Sequence, residues 1–230
     1  MGLAFVAGFV DAVTVLGLYH TFVAFVTGTI ITLGLALVSG SGDALLKTIV
    51  VAGFACFSLM WIAIIRSVRD TPRTLAWFFA AEGAVLTVFA VAGTVVGEPT
   101  GPDAVGTIVL CLLGVLAMSL QNALMTILLT RHAPTTVMTG NVVRFLVSVE
   151  DLARGGLASV RADPDARFKS RRQLLTYLVA LFSFMVGVLL GAAIFLRVGF
   201  GALFVPAGIL GALAAVEIMR STRPRATPDN

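Results

Sequence analysis

Apolar positions along this chain come in long runs rather than at the spacing of one helix face. Residues 48–65, 105–130, 174–196 and 199–216 carry no charge at all. Runs of ~18 or more uncharged apolar residues read as transmembrane helices, because ~20 residues rising ~1.5 Å each cross a ~30 Å hydrocarbon core. The pattern predicts apolar segments over 3–18, 21–39, 44–65, 75–96, 104–130, 135–149, 173–196 and 199–219. Turn-forming or charged stretches separate them: 40–43, 66–73 with Pro72, 97–103 with two prolines, and a charged linker over 150–172. Segment 3–18 has Asp11 in its middle and no basic residues ahead of it, so it reads as a mature helix and not as a signal peptide.

Composition agrees. The chain is 58% hydrophobic and 12% charged, against about a quarter charged in a soluble domain. The net charge of +4 does not point to nucleic acid, because the basic residues sit in loops and in the polar tail 220–230. Cys56 and Cys111 both lie inside apolar runs, where a thiol behaves as a small hydrophobe. They imply neither a disulfide nor a metal site, and no cofactor is expected.

Charge placement then restricts the topology. Arg and Lys concentrate in 66–73, 150–172 and 220–225, whereas 97–103 holds acids alone and 40–43 holds Asp43. The positive-inside rule assigns the three basic regions to the cytoplasm. If every segment crossed, 66–73 and the tail would lie on opposite faces. The conflict disappears if 21–39 and 135–149 enter the bilayer, turn and leave by the same side. The expected fold is therefore an all-α polytopic membrane protein forming a single integral membrane domain over 1–230. It has about six spans arranged as an inverted 3+3 repeat, 1–97 against 104–219, with a re-entrant Thr-Gly hairpin in each half. The N-terminus and the tail would both be cytoplasmic. The alternative is seven or eight spans, since 21–39 is long and apolar enough to cross.

Two stretches in register carry the repeat. Gly8-Phe9-Val10-Asp11-Ala12 is followed by His20 and by Thr27-Gly28-Thr29. Ser119-Leu120-Gln121-Asn122-Ala123 is followed by His132 and by Thr139-Gly140-Asn141. An acid at mid-bilayer costs roughly 2.5–3.5 kcal/mol to insert, so Asp11 should face a cavity or a partner. Two readings follow. Asp11, Gln121 and Asn122 either hydrogen-bond the backbone freed where a neighbouring hairpin breaks, or they line a solute or proton site. Thr27, Gly28, Thr29, Thr139, Gly140 and Asn141 suit such a break. A half-helix starting at Thr27 or Thr139 would aim its positive end inward and favour an anion. Arg144 shares a face with Asn141 and could meet an anion or snorkel to the interface. Glu82 is the second costly acid, open either to pairing with Lys47 or to a cavity. His20 and His132 fall at segment ends, where a histidine is usually wetted. Glu217 and Arg220 should form an interfacial pair.

The two motifs, with Thr135-Thr136-Val137-Met138 ahead of Thr139-Gly140-Asn141, resemble the YoaK-like family of bacterial inner-membrane proteins. The likeness runs from about residue 3 to 219. Here the first hairpin reads Thr-Gly-Thr where the family usually reads Thr-Gly-Asn. The resemblance implies a multi-pass protein of the bacterial plasma membrane with around six spans, and it implies no activity. Nucleophile, metalloprotease, Walker and dinucleotide motifs are absent from the sequence, so an enzyme is not expected. The function expected from the residues is that of a permease for a small solute, anionic or proton-coupled. The alternative is a non-transporting scaffold or partner protein. Expected partners are the lipid bilayer, a small-molecule solute and other copies of the chain, with no nucleic acid.

Overall fold

The computed structural model describes residues 1–129, 138–158 and 164–222; for 138, 151–158 and 164–173 it describes the helical backbone alone. The described residues form helices α1 (Gly2–Gly17), α2 (Val26–Ser39), α3 (Ala44–Ser67), α4 (Pro72–Val96), α5 (Val105–Ile127), α6 (Met138–Ala158), α7 (Pro164–Val198) and α8 (Phe204–Thr222). A 3-10 turn, Gly199–Leu203, joins α7 to α8. Helix is the expected answer for these apolar runs, since in lipid every backbone N–H and C=O must be satisfied within its own segment. The helices α3, α4 and α5 and the stretch Leu174–Thr222 are each long and apolar enough to cross a membrane. Helices α1 and α2 are apolar but shorter, at 16 and 14 residues. Large side chains such as Leu59, Trp77 and Phe182 stand about 70% exposed, as they would facing lipid. This is the make-up of a polytopic membrane protein.

Packing contacts set the direction of each helix. Tyr19, just past α1, donates its hydroxyl to the carbonyl of Pro99, just past α4, at 3.1 Å, so α1 and α4 end at one face. Val96 lies against Gly106, and Phe89 against Gly114, so α5 runs opposite to α4. The short link 68–71 joins α3 to α4, and α3 packs on α5: Gly53 meets Leu112, and the Trp61 indole N–H donates to the Leu116 carbonyl at 3.1 Å, so α3 runs with α5. Phe200 meets Gly93, and Ala207 and Leu210 meet Gly83, so α8 also opposes α4. Phe5 meets Gly187, Phe9 meets Gly191, and Gly17 meets Phe195, so α7 runs with α1. Helices α1, α4 and α7 thus point one way, and α3, α5 and α8 the other. Since α1 and α3 oppose each other, α2 between them starts and finishes its excursion on one face. The same holds for α6 between α5 and α7.

Glycine makes the tightest of these crossings possible. Gly8, Gly187 and Gly191 sit where α1 and α7 touch backbone to backbone. A Cβ on any of them would collide with the carbonyl oxygen of Phe184, Phe5 or Phe9 respectively. Gly187-x-x-x-Gly191 is the small-residue spacing that lets membrane helices approach this closely.

Two segment boundaries differ from expectation. The linker 150–172 is not a loop throughout: α6 continues to Ala158 and α7 already begins at Pro164. Leu, Ala and Arg are good helix formers, and proline at a first helical position lacks only an N–H that would have no partner anyway. The first hairpin also does not turn at Thr27-Gly28, as expected. Its turn is earlier, over 18–25, where Tyr19 and His20 take left-handed φ values of 52° and 57°.

Candidate functional site

Helix α1 delivers Asp11 to mid-helix, buried at 4% exposure. The chain leaves α1 at Gly17, doubles back, and returns to the level of Asp11 before α2 begins. There the carboxylate closes the open end of α2. Oδ1 accepts the N–H groups of Val23 and Ala24 at 2.9 and 2.8 Å, and Oδ2 accepts that of Phe25 at 2.9 Å. These donors precede a helix that starts inside an apolar layer, with no water to satisfy them. Three hydrogen bonds to a charged acceptor, each worth roughly 1.5–3 kcal/mol, explain how an acid survives here. Thr29 locks the same turn from the α2 side. Its Oγ1 accepts the Phe22 N–H at 2.9 Å and donates to the Phe22 carbonyl at 2.6 Å. Gly28 is needed for space rather than for an unusual φ: a Cβ would lie 2.8 Å from the rings of Phe22 and Phe25, which stack edge to face over it. Thr27, in the first turn of α2, is exposed.

A cavity of about 290 Å³ opens beside Asp11. Among the described residues its walls are Ala12, Val15, Phe22, Phe25, Phe184 and Val188, and its two polar lining residues are Asp11 and Thr139. Thr139 opens α6, so the cavity lies between the turn that precedes α2, through Phe22 and Phe25, and the first turn of α6. Gly140 and the fully buried Asn141 follow in the same turn of α6. The walls supplied by Phe184 and Val188 have no signal of their own in the sequence that separates them from lipid-facing residues of α7. The glycine spacing that presses α7 onto α1, Gly187-x-x-x-Gly191, is the signal in the sequence that points to this wall.

The remaining candidates lie elsewhere. Gln121 is buried on α5, and its Nε2 donates to the Leu3 carbonyl of α1 at 3.0 Å. Asn122 donates from Nδ2 to the Met118 carbonyl, one turn back on its own helix, at 3.0 Å. Neither borders the Asp11 cavity. His132 and Thr135-Thr136-Val137 fall outside the described residues, and with them the backbone that would mirror 23–25. Arg144 is exposed on α6.

Glu82 is fully buried on α4, and neither of its oxygens has a hydrogen-bond partner among the described residues. Pairing with Lys47 is ruled out by the structure: Lys47 bonds Asp43, one turn back on its own helix. Burial alone would raise the Asp43 carboxyl, but hydrogen bonds from Lys47 and Ser41 outweigh it and hold the group below the usual carboxylate range. The register of α4 on α5 brings Gln121 to the depth of Glu82, since Val96 pairs with Gly106 and Phe89 with Gly114. His20 is exposed and borders a separate cleft of about 720 Å³ at the end of α1, with Glu98 and Arg197. Glu217 and Arg220 pair at 2.6 Å, as expected of neighbours one turn apart.

One feature of the expected site changes. The positive end of α2 does point inward, but it does not await an anion. Asp11 already holds it.

A multi-helix membrane protein with a broken helix capped at mid-depth is the class that this fold and site define. The family described as Protein of unknown function (DUF1275) matches residues 1–216, and the chain belongs to it. No curated protein and no solved structure matches the chain.

Proposed function

We propose that the protein is a permease for a small solute. It has six spans in two inverted halves, 1–97 and 104–219, each carrying a re-entrant hairpin, with α2 in the first and α6 in the second. The observation that carries this reading is the cavity beside Asp11, bordered by the opening turn of α6 and by the turn that opens α2. In transporters built from inverted repeats, broken helices of the two halves meet near the midplane and form the site.

The helix pairings support the repeat. Helix α1 packs on α7 as α5 packs on α3, α2 on α3 as α6 on α7, and α4 on α5 as α8 on α1. Helix α4 meets α8 across the axis that would relate the halves. The basic regions then share the cytoplasmic face with both termini, in a bacterial plasma membrane, where the YoaK-like resemblance also puts the chain. The protein works without a cofactor and not as an enzyme; copies of the chain can associate in the bilayer.

A second reading, a non-transporting scaffold, draws on the three backbone N–H groups that engage Asp11, since such a carboxylate holds the fold together whether or not anything passes. Reconstituted vesicles separate the two. Stopped-flow light scattering with a panel of small uncharged, anionic and cationic solutes should show faster entry of at least one than in protein-free vesicles, abolished by Ala12→Phe, which fills the cavity. Entry no faster than in protein-free vesicles for every solute leaves the scaffold.

A further inference from the structure

We propose that the Asp11 cavity binds an uncharged, mostly apolar molecule that presents one hydrogen-bond donor to Asp11. This inference rests on the permease reading for its purpose and on the cavity itself for its chemistry.

The argument begins with what the carboxylate still offers. An ionised carboxylate has about four lone-pair directions. Val23 and Ala24 occupy two on Oδ1, and Phe25 occupies one on Oδ2. One acceptor direction on Oδ2 remains, and Asp11 lines the cavity. A hydroxyl or amide N–H can use it.

The walls then exclude charge. An anion would meet the Asp11 carboxylate with no Lys, Arg or His among the described lining residues to compensate it. Of the two helix starts at the cavity, that of α2 is already engaged by Asp11, and that of α6, at Thr139, sets only a partial positive charge of about half a unit against a full carboxylate. A cation would meet a carboxylate whose charge three N–H groups and a helix end already balance, and would leave its water for six apolar walls. An uncharged body loses little on entering. Pockets of about 300 Å³ with few polar groups are the size and character of sites for small organic ligands. Phe22, Phe25 and Phe184 present aromatic surface, so a ring is a suitable body. Thr139, the other polar residue among the described lining, can meet a second polar atom.

Four probes sharing one ring test this: benzyl alcohol, toluene, benzylamine and benzoate. Saturation-transfer NMR on the full chain in nanodiscs, referenced to empty nanodiscs, reads binding at this site. Benzyl alcohol should give a signal that Ala12→Phe abolishes, and each of the other three should bind about tenfold more weakly or worse. Val188→Phe fills the same cavity from α7 and serves if Ala12→Phe does not fold. Benzoate or benzylamine binding as well as benzyl alcohol overturns the charge argument, and toluene binding as well overturns the donor. Equal signals from wild type and both filled variants overturn the site. Binding without any solute flux sinks the permease reading and leaves this inference standing; flux of a charged solute blocked by Ala12→Phe, without benzyl alcohol binding, does the reverse.

Discussion

Asp11 is an unusual residue to find at the centre of an apolar helix, and the structure explains it through its neighbours. A charged acceptor that receives three backbone donors is a cap, delivered from another helix rather than from the capping position itself. The consequence for mutation is specific. Asp11→Ala leaves three N–H groups unpaired, the buried ones of Val23 and Ala24 at roughly 1–3 kcal/mol each and the part-buried one of Phe25 at less. Asp11→Asn keeps one oxygen for Val23 and Ala24 but turns an NH2 group toward the Phe25 N–H, so it loses one bond and adds a donor–donor contact. Thr29→Val should lose about 1–3 kcal/mol by breaking both bonds to Phe22, and Thr29→Ser should restore most of it. Thermal unfolding in detergent should therefore rank wild type and Thr29→Ser highest, then Asp11→Asn and Thr29→Val, and Asp11→Ala last. Asp11→Ala unfolding at the wild-type temperature would refute the cap. That Asp11 needs a partner was legible from its cost in lipid. So was the backbone of the neighbouring hairpin as one of two candidates; the particular donors, the N–H groups of 23–25, were not, because they carry no sequence signature.

Among the elements, α1 and α7 depend on the absence of side chains. Gly187→Ala and Gly191→Ala should each lower stability by about 1–3 kcal/mol, because the added Cβ meets a carbonyl of α1 that cannot move alone. Gly211→Ala on α8 is the control: open space surrounds it, and its melting temperature should stay at or above wild type. Equal losses at all three positions would mean that the tight α1–α7 crossing is not what glycine serves. The apolar cores of α3, α4, α5 and α8 were readable from their runs, since uncharged length alone dictates helix in lipid. The ends were not. Residues 150–158 and 164–172 looked like linker because they are charged, yet charge does not forbid helix outside the hydrocarbon. The turn of the first hairpin was placed at Thr27-Gly28 because glycine is permissive. Tyr19 and His20 take the left-handed conformation instead, at the point where α1 must end for 23–25 to reach Asp11.

For the whole molecule, the direction of the helices matters most. Cysteines introduced at Gly42 and at Ala162, in a chain whose Cys56 and Cys111 are replaced, should react with a membrane-impermeant reagent from opposite sides. Labelling of both from one side would sink the inverted arrangement. The sequence by itself determined that the chain is helical and membrane-embedded, since uncharged runs of this length leave no other way to satisfy their backbone. Only the tertiary structure decided what Asp11 does. Its role depends on a turn that folds back along α1 and on α7 pressing close enough to leave a cavity beside it. Those are distances between segments far apart in the chain, and hydropathy, which scores each residue against lipid alone, does not contain them.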